Sequence, residues 1–160
     1  MRWALISALC LTAAQPAWSL SCLRPDIARD FAAAAASEDS YILVKGKLFF
    51  DETKLPKRGD GSSSDMPEGA DIPAWFDGHS LTPDGFTRRF QRDVILRVTC
   101  VASWCGSTST GEHLAFLKRA ETDFIMQLDP CGGMTYRDPT GEQERTVTRC
   151  MRGESCDPVE

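Results

Sequence analysis

Seven cysteines sit in a chain of 160 residues, and six of them, Cys22, Cys100, Cys105, Cys131, Cys150 and Cys156, lie beyond an N-terminal apolar run that contains Cys10. An even set in a small domain is the mark of a disulfide framework formed in an oxidising compartment. The spacing alone selects no pairing among those that six cysteines allow. A metal reading of the same residues is weak: no Cys-x-x-Cys pair occurs, and His79 and His113 are the two histidines of the chain, too few for a three-histidine centre.

The segment that carries Cys10 reads as a leader. Arg2 supplies a positive start, Ala4 to Ala14 is apolar except for Ser7 and Thr12, and Pro16-Ala17-Trp18-Ser19 ends in a small-x-small pattern. The run is too short to span a bilayer, and no later stretch is long and apolar enough to do so. Residues 1–19 are therefore expected to be a signal peptide, with 20–160 as one domain. Cleavage after Ser21 is the alternative and would leave Cys22 first in the chain. Ser19 stands where a lipoprotein box needs an aliphatic residue, which argues against a lipid anchor at Cys22.

The charge balance narrows the partners. Eighteen Lys and Arg against 23 Asp and Glu give a net charge of −5, so no basic field is available for nucleic acid. A protein partner fits better. The length allows one core of ordinary size.

Periodicity supplies the elements. Pro25 at an initial helical position, Asp26 in the first turn, and Ile27, Phe31, Ala34 and Ala35 on one face predict a helix to about Ala36. From Tyr41 to Phe50 the period becomes two, with Ile42, Val44, Leu48 and Phe50 on one face and Gly46 as a bulge or close-approach point. Residues 51–74 read as a flexible loop rich in Gly, Ser and Pro. Pro83-Asp84-Gly85 marks a turn between Gly78–Leu81 and Phe86–Phe90, and Asp93–Val101 alternates with Val94, Leu96, Val98 and Cys100 together. Glu112–Lys118 and Asp123–Leu128 read as a hairpin. Asp138-Pro139 precedes a helix from Thr140 to Arg152 that Gly153 stops. About five strands with a helix at each end predict a mainly β chain, a small antiparallel barrel.

Cys22-Leu-Arg-Pro25 followed by Phe31, then Val44-x-Gly46, Val98 to Trp104-Cys105-Gly106, Gly111 before a strand, Cys131, and a terminal helix holding Cys150 carry a resemblance. Together they look like the N-terminal, netrin-like domain of tissue inhibitors of metalloproteinases. The chain also resembles a group of exported bacterial proteins of unassigned function with this cysteine layout. The resemblance implies an OB-type five-stranded antiparallel barrel flanked by two helices. By the same analogy Cys22 would bridge to Cys105, Cys100 to Cys131, and Cys150 to Cys156. It further implies chelation of a protease zinc by the amine and carbonyl of a first-residue cysteine whose thiol is held in a disulfide. Cys22 meets that condition if cleavage follows Ser21. The family's Cys-x-Cys start is here Cys22-Leu23-Arg24, a departure that counts against the mechanism.

A rival from another class is a thiol–disulfide enzyme using Cys105. A strand, then Trp104-Cys105-Gly106, then Glu112–Glu121 read as a helix, is the order around a thioredoxin site. Thr108 stands where the second cysteine belongs, and Gly111 falls inside the required helix. Cys105 with His113 is a nominal nucleophile and base, with nothing in sequence to set their geometry. Gly106-Ser-Thr-Ser-Thr-Gly111 is not a nucleophile elbow. In the loop, Arg58-Gly59-Asp60 matches an adhesion tripeptide, and Asp60, Ser62, Ser64 and Asp65 offer oxygens without the calcium-loop order. Trp75 and Trp104 read either as partner-binding aromatics or as a barrel-end plug and a cover for the Cys105 disulfide. A binding face is expected where Cys22, the 102–110 loop and Trp75 converge.

The expectation is an exported, periplasmic or extracellular, disulfide-stapled binding module with no catalytic residues, cofactor or metal. The resemblance implies a protease as its protein partner. A non-catalytic envelope structural or assembly factor is a further alternative.

Overall fold

The computed structural model describes residues 21–57 and 68–158. The leader, Cys10, the Arg58-Gly59-Asp60 tripeptide and the Asp60–Asp65 oxygens lie outside these residues.

The chain is mainly β. Helix α1 (Ile27–Ala36) is followed by β1 (Tyr41–Phe50), a 3₁₀ turn (Glu52–Lys54), β2 (Ala70–Thr82), β3 (Gly85–Val98), β4 (Cys100–Val101), β5 (Trp104–Cys105), β6 (Gly111–Arg119), β7 (Phe124–Leu128), β8 (Thr135–Arg137) and α2 (Gly141–Met151). Six strands form one sheet in the order β1-β2-β3-β7-β6-β8, and β4 pairs with β5 alone. β1 also pairs with β6, so hydrogen-bonded neighbours followed from β1 through β2, β3, β7 and β6 lead back to β1. All pairings are antiparallel except β3 with β7. Among the described residues no helix is long and apolar enough to cross a membrane.

Two packed clusters follow from strand alternation. The first comes from β1, β2, β3, β6 and β7 and includes Val44, Leu48, Phe76, Leu96, Leu117 and Met126, with Ile42 and Phe50 against its edge. The second joins α1, α2 and β8 to the other face of β1 and β6 through Ile27, Leu43, Leu114, Phe116, Tyr136 and Val147. β6 is buried on both faces, so Leu114–Leu117 is an unbroken apolar run with no polar alternation. Gly46 and Gly78 face each other across β1 and β2. A Cβ on Gly46 would run into the Asp77 carbonyl and the Gly78 Cα, which makes this the close approach expected at Gly46.

Several boundaries move. Asp26 is the N-cap of α1, its carboxylate accepting from Arg29 N at 2.9 Å, so Pro25 precedes the helix. Ala35 is exposed, whereas Ile27 and Ala28 are buried. The expected loop ends before Ala70, since Ile72 and Ala74 continue the buried alternation of Phe76. Pro73 is tolerated because the β1 ladder stops at Phe50↔Ala74, leaving it beside β3 alone. The two segments around Pro83-Asp84 belong to one long hairpin, with Thr82 opposite Gly85. Strand β3 ends at Val98, and Cys100 starts a separate hairpin. Thr140 caps α2 through a capping box with Gln143, and Gly153 follows at φ 72°.

Candidate functional site

The ends of β1, β3 and β7 and the start of β6 gather at one end of the sheet, and the chain leaving β7 is their junction. The Leu128 carbonyl accepts from Thr99 N at 2.9 Å, and Gly106 N donates to Thr99 O at 2.9 Å. Gly106 lies so close to the Leu128 carbonyl and Asp129 N that a Cβ has no room. Asp129 then organises a tight turn, its carboxylate accepting from Cys131 N at 2.7 Å and Gly133 N at 3.2 Å. Cys131 is thereby presented to Cys22, and the two form a disulfide.

Beside it, Cys100 and Cys105 are Cα partners in the β4–β5 hairpin and are joined to each other. The hairpin turns through Ala102 at φ 51°, a left-handed conformation that a non-glycine residue adopts at a cost. The staple on either side holds that turn. At its tip Val101 and Trp104 are paired, and both are exposed, by 56% and 43%. Leu23, next to the Cys22 staple, is 79% exposed.

The 106–110 segment is fixed from two directions. Glu52 accepts from Thr110 N at 2.7 Å and from Thr110 Oγ1 at 3.0 Å, and these bonds hold its carboxyl below the usual range. On the other side His113, fully buried, bonds the Gly111 carbonyl through Nδ1 at 2.9 Å and Thr108 Oγ1 through Nε2 at 2.8 Å. A carbonyl only accepts, so Nδ1 carries the proton and Nε2 receives the Thr108 hydroxyl. Burial lowers the pKa of this imidazole and keeps it neutral.

All six expected cysteines are therefore bonded, with two of the three pairings changed. Cys150 pairs with Cys156 as the resemblance implied. Cys22 meets Cys131 instead of Cys105, and Cys100 meets Cys105 instead of Cys131, because hairpin register places Cys100 and Cys105 directly opposite each other. The Cys22 segment and the 102–110 loop do converge, on Leu128–Cys131. Trp75 lies on the face of β2 opposite buried Phe76, where it is 40% exposed beside Phe49 in register. Cys105 and His113 form no nucleophile and base, since the sulfur is in a disulfide and the ring is bonded to Thr108 and Gly111. Gly111–Arg119 is a strand, not the helix that the redox reading required. Asp129, which shapes the junction, is not among the residues the sequence singles out as functional, although Asp129-Pro-Cys-Gly-Gly is a strong turn signal.

Among the described residues no three His, Cys, Asp or Glu side chains gather as metal ligands would. What this end of the molecule offers chemically is a stapled apolar tip held by hydrogen bonds, with its sulfurs and its imidazole already engaged. Comparison with family models, characterised proteins and solved structures finds no match for the chain.

Proposed function

We propose that the chain is an exported binding module on an OB-type barrel of five strands, recognising a protein partner through the stapled end rather than catalysing a reaction. The ring of pairings β1-β2-β3-β7-β6-β1, with β3 and β7 parallel, supports the barrel reading. Three disulfides fit an oxidising compartment, periplasmic or extracellular. The observation that carries the binding reading is the convergence of two staples on Leu128–Cys131, which pre-organises Leu23, Val101 and Trp104 as exposed anchors. A zinc protease is the partner class implied by the resemblance to the netrin-like inhibitors, and an exposed Cys22 with its thiol in a disulfide is compatible with that mechanism.

The test is N-terminal and intact-mass spectrometry of the exported protein, alkylated before and after reduction, then titration against zinc endopeptidase catalytic domains. A chain starting at Cys22 with all cysteines protected, and inhibition lost in Val101→Ser/Trp104→Ser, supports the inhibitor reading. A chain starting at Leu20 removes zinc chelation and leaves the binding module. Alkylation of Cys105 before reduction would replace both with a thiol–disulfide enzyme.

A further inference from the structure

The opposite end of the sheet is built differently. β3 and β7 pair only over Ile95–Val98 and Ile125–Leu128, so the first half of β3 has β2 as its one strand neighbour among the described residues. The start of β7 reaches this gap through Phe124, whose ring lies edge-on to Phe90 at 5.1 Å. Helix α1 and the start of β1 close it from behind. The result is a cavity of about 380 Å³ between the two clusters, with Phe31, Tyr41, Phe90, Phe116 and Phe124 in its walls. Its volume is within the range of small-molecule sites, at the low end.

The charge around it is one-sided. Arg88, Arg92 and Arg119 line the cavity together with Arg89, whose guanidinium is engaged elsewhere, and no Asp or Glu does, in a chain with 23 acidic and 18 basic residues. Arg88 and Arg92 flank Phe90 at the two-residue period of a strand, and therefore share its face. Arg89 points to the other face, where it bonds Gln91 at 2.9 Å and lies 3.8 Å from Asp77. Arg119 sits over the Phe124 ring at 5.8 Å. Neither Arg88, Arg92 nor Arg119 has a carboxylate partner among the described residues. Three exposed guanidiniums beside an aromatic wall match a ligand with one anionic head and a short, flexible apolar tail. The planar fork binds a carboxylate through two parallel hydrogen bonds, and the rings accept the tail.

We propose that this arginine-rimmed cavity binds a small amphipathic carboxylate of the medium-chain fatty-acid class, its head between Arg88, Arg92 and Arg119 and its acyl chain against Phe90 and Phe124. The occupant would be a monomeric molecule, not a membrane surface.

The experiment is isothermal titration of the full, disulfide-intact protein with dodecanoate below its critical micelle concentration, alongside dodecanol and dodecyltrimethylammonium. One-to-one binding of dodecanoate is expected, with the alcohol and the cation weaker by about tenfold or more, and the affinity falling with added salt. Arg88→Gln/Arg92→Gln, at exposed positions that leave the cores intact, is expected to weaken dodecanoate by about tenfold or more while leaving the thermal midpoint unchanged. Equal affinity for the carboxylate and the alcohol, or no effect of the substitutions, would overturn the proposal. So would binding to anionic phosphatidylglycerol vesicles without binding to monomeric dodecanoate, which would make this a membrane-facing patch.

Discussion

Removing the Cys22–Cys131 staple is expected to cost far more than removing the Cys100–Cys105 staple, although both lie at the same end of the sheet. The first closes a span of 109 residues and the second a span of 5. In the chain-entropy account the stabilisation grows with the logarithm of the closed span, giving roughly 5 kcal/mol for the long loop and roughly 2 kcal/mol for the short one. Packing changes the comparison little. Cys22 and Cys131 are exposed, so Cys22→Ser/Cys131→Ser creates no cavity, while Cys105 packs partly against the first cluster and adds a small packing loss to Cys100→Ala/Cys105→Ala. With a urea dependence of about 2 kcal/mol per molar, the midpoint should fall by roughly 2.5 M for the long staple and about 1 M for the short one. Urea unfolding followed by far-UV circular dichroism measures both, and non-reducing peptide maps check the remaining bridges. Equal midpoint losses with intact remaining bridges and unchanged slopes would refute the argument. A larger loss for the short staple would mean that the Ala102 turn, not chain closure, carries the stability.

His113 should make the fold acid-sensitive. Its pKa is lowered by burial from the usual 6.5, so its contribution is complete above that pH and is lost as pH falls towards the depressed folded value. Unfolding midpoints between pH 8 and 5 should drop less in His113→Gln than in the parent, and an imidazole pKa above 6.5 by NMR would contradict this. Asp30 behaves in the opposite sense: burial raises its carboxyl against a lowering bond from Tyr136 Oη at 2.5 Å, so its contribution is greatest at low pH and lost as pH rises through the raised value. Tyr136→Phe should raise that carboxyl further, read by carboxyl NMR, and cost about 1–3 kcal/mol in urea unfolding. Gly46→Ala should cost about 1–3 kcal/mol or more because its methyl would meet backbone that cannot step aside, whereas Gly141→Ala, facing only the Arg145 guanidinium, should be neutral or mildly stabilising.

How much of this was legible in the sequence depends on the range of the interaction. The β1 alternation, the β6–β7 hairpin, the turn at Pro83-Asp84 and the start and stop of α2 are local, and their residues announce them within a few positions. The β4–β5 hairpin is also local, yet Ala102 hid it, since nothing in an alanine signals a left-handed turn. Pro73 had the reverse effect, suggesting a loop where β2 needs no hydrogen bond to β1. Disulfide pairing is a matter of which strand ends meet, and periodicity carries no such information. Trp75 and Trp104 could be named from sequence, but not the strand positions that expose them, Trp75 of β2 opposite Phe49 and Trp104 opposite Val101 in the β4–β5 hairpin. The arginine-rimmed cavity is the extreme case. Arg88 and Arg92 come from β3, Arg119 from the end of β6 and Phe124 from β7, and what brings them round one opening is the short parallel pairing of β3 with β7. A parallel pair has no hairpin turn to mark it, and its length is set by how far the two strands stay in step. Had that pairing run on to Phe90, the aromatic wall would be covered and the arginines would be ordinary surface charges. The binding capacity proposed for this end therefore resides in where a ladder stops, a property of the assembled sheet with no local signature in the chain.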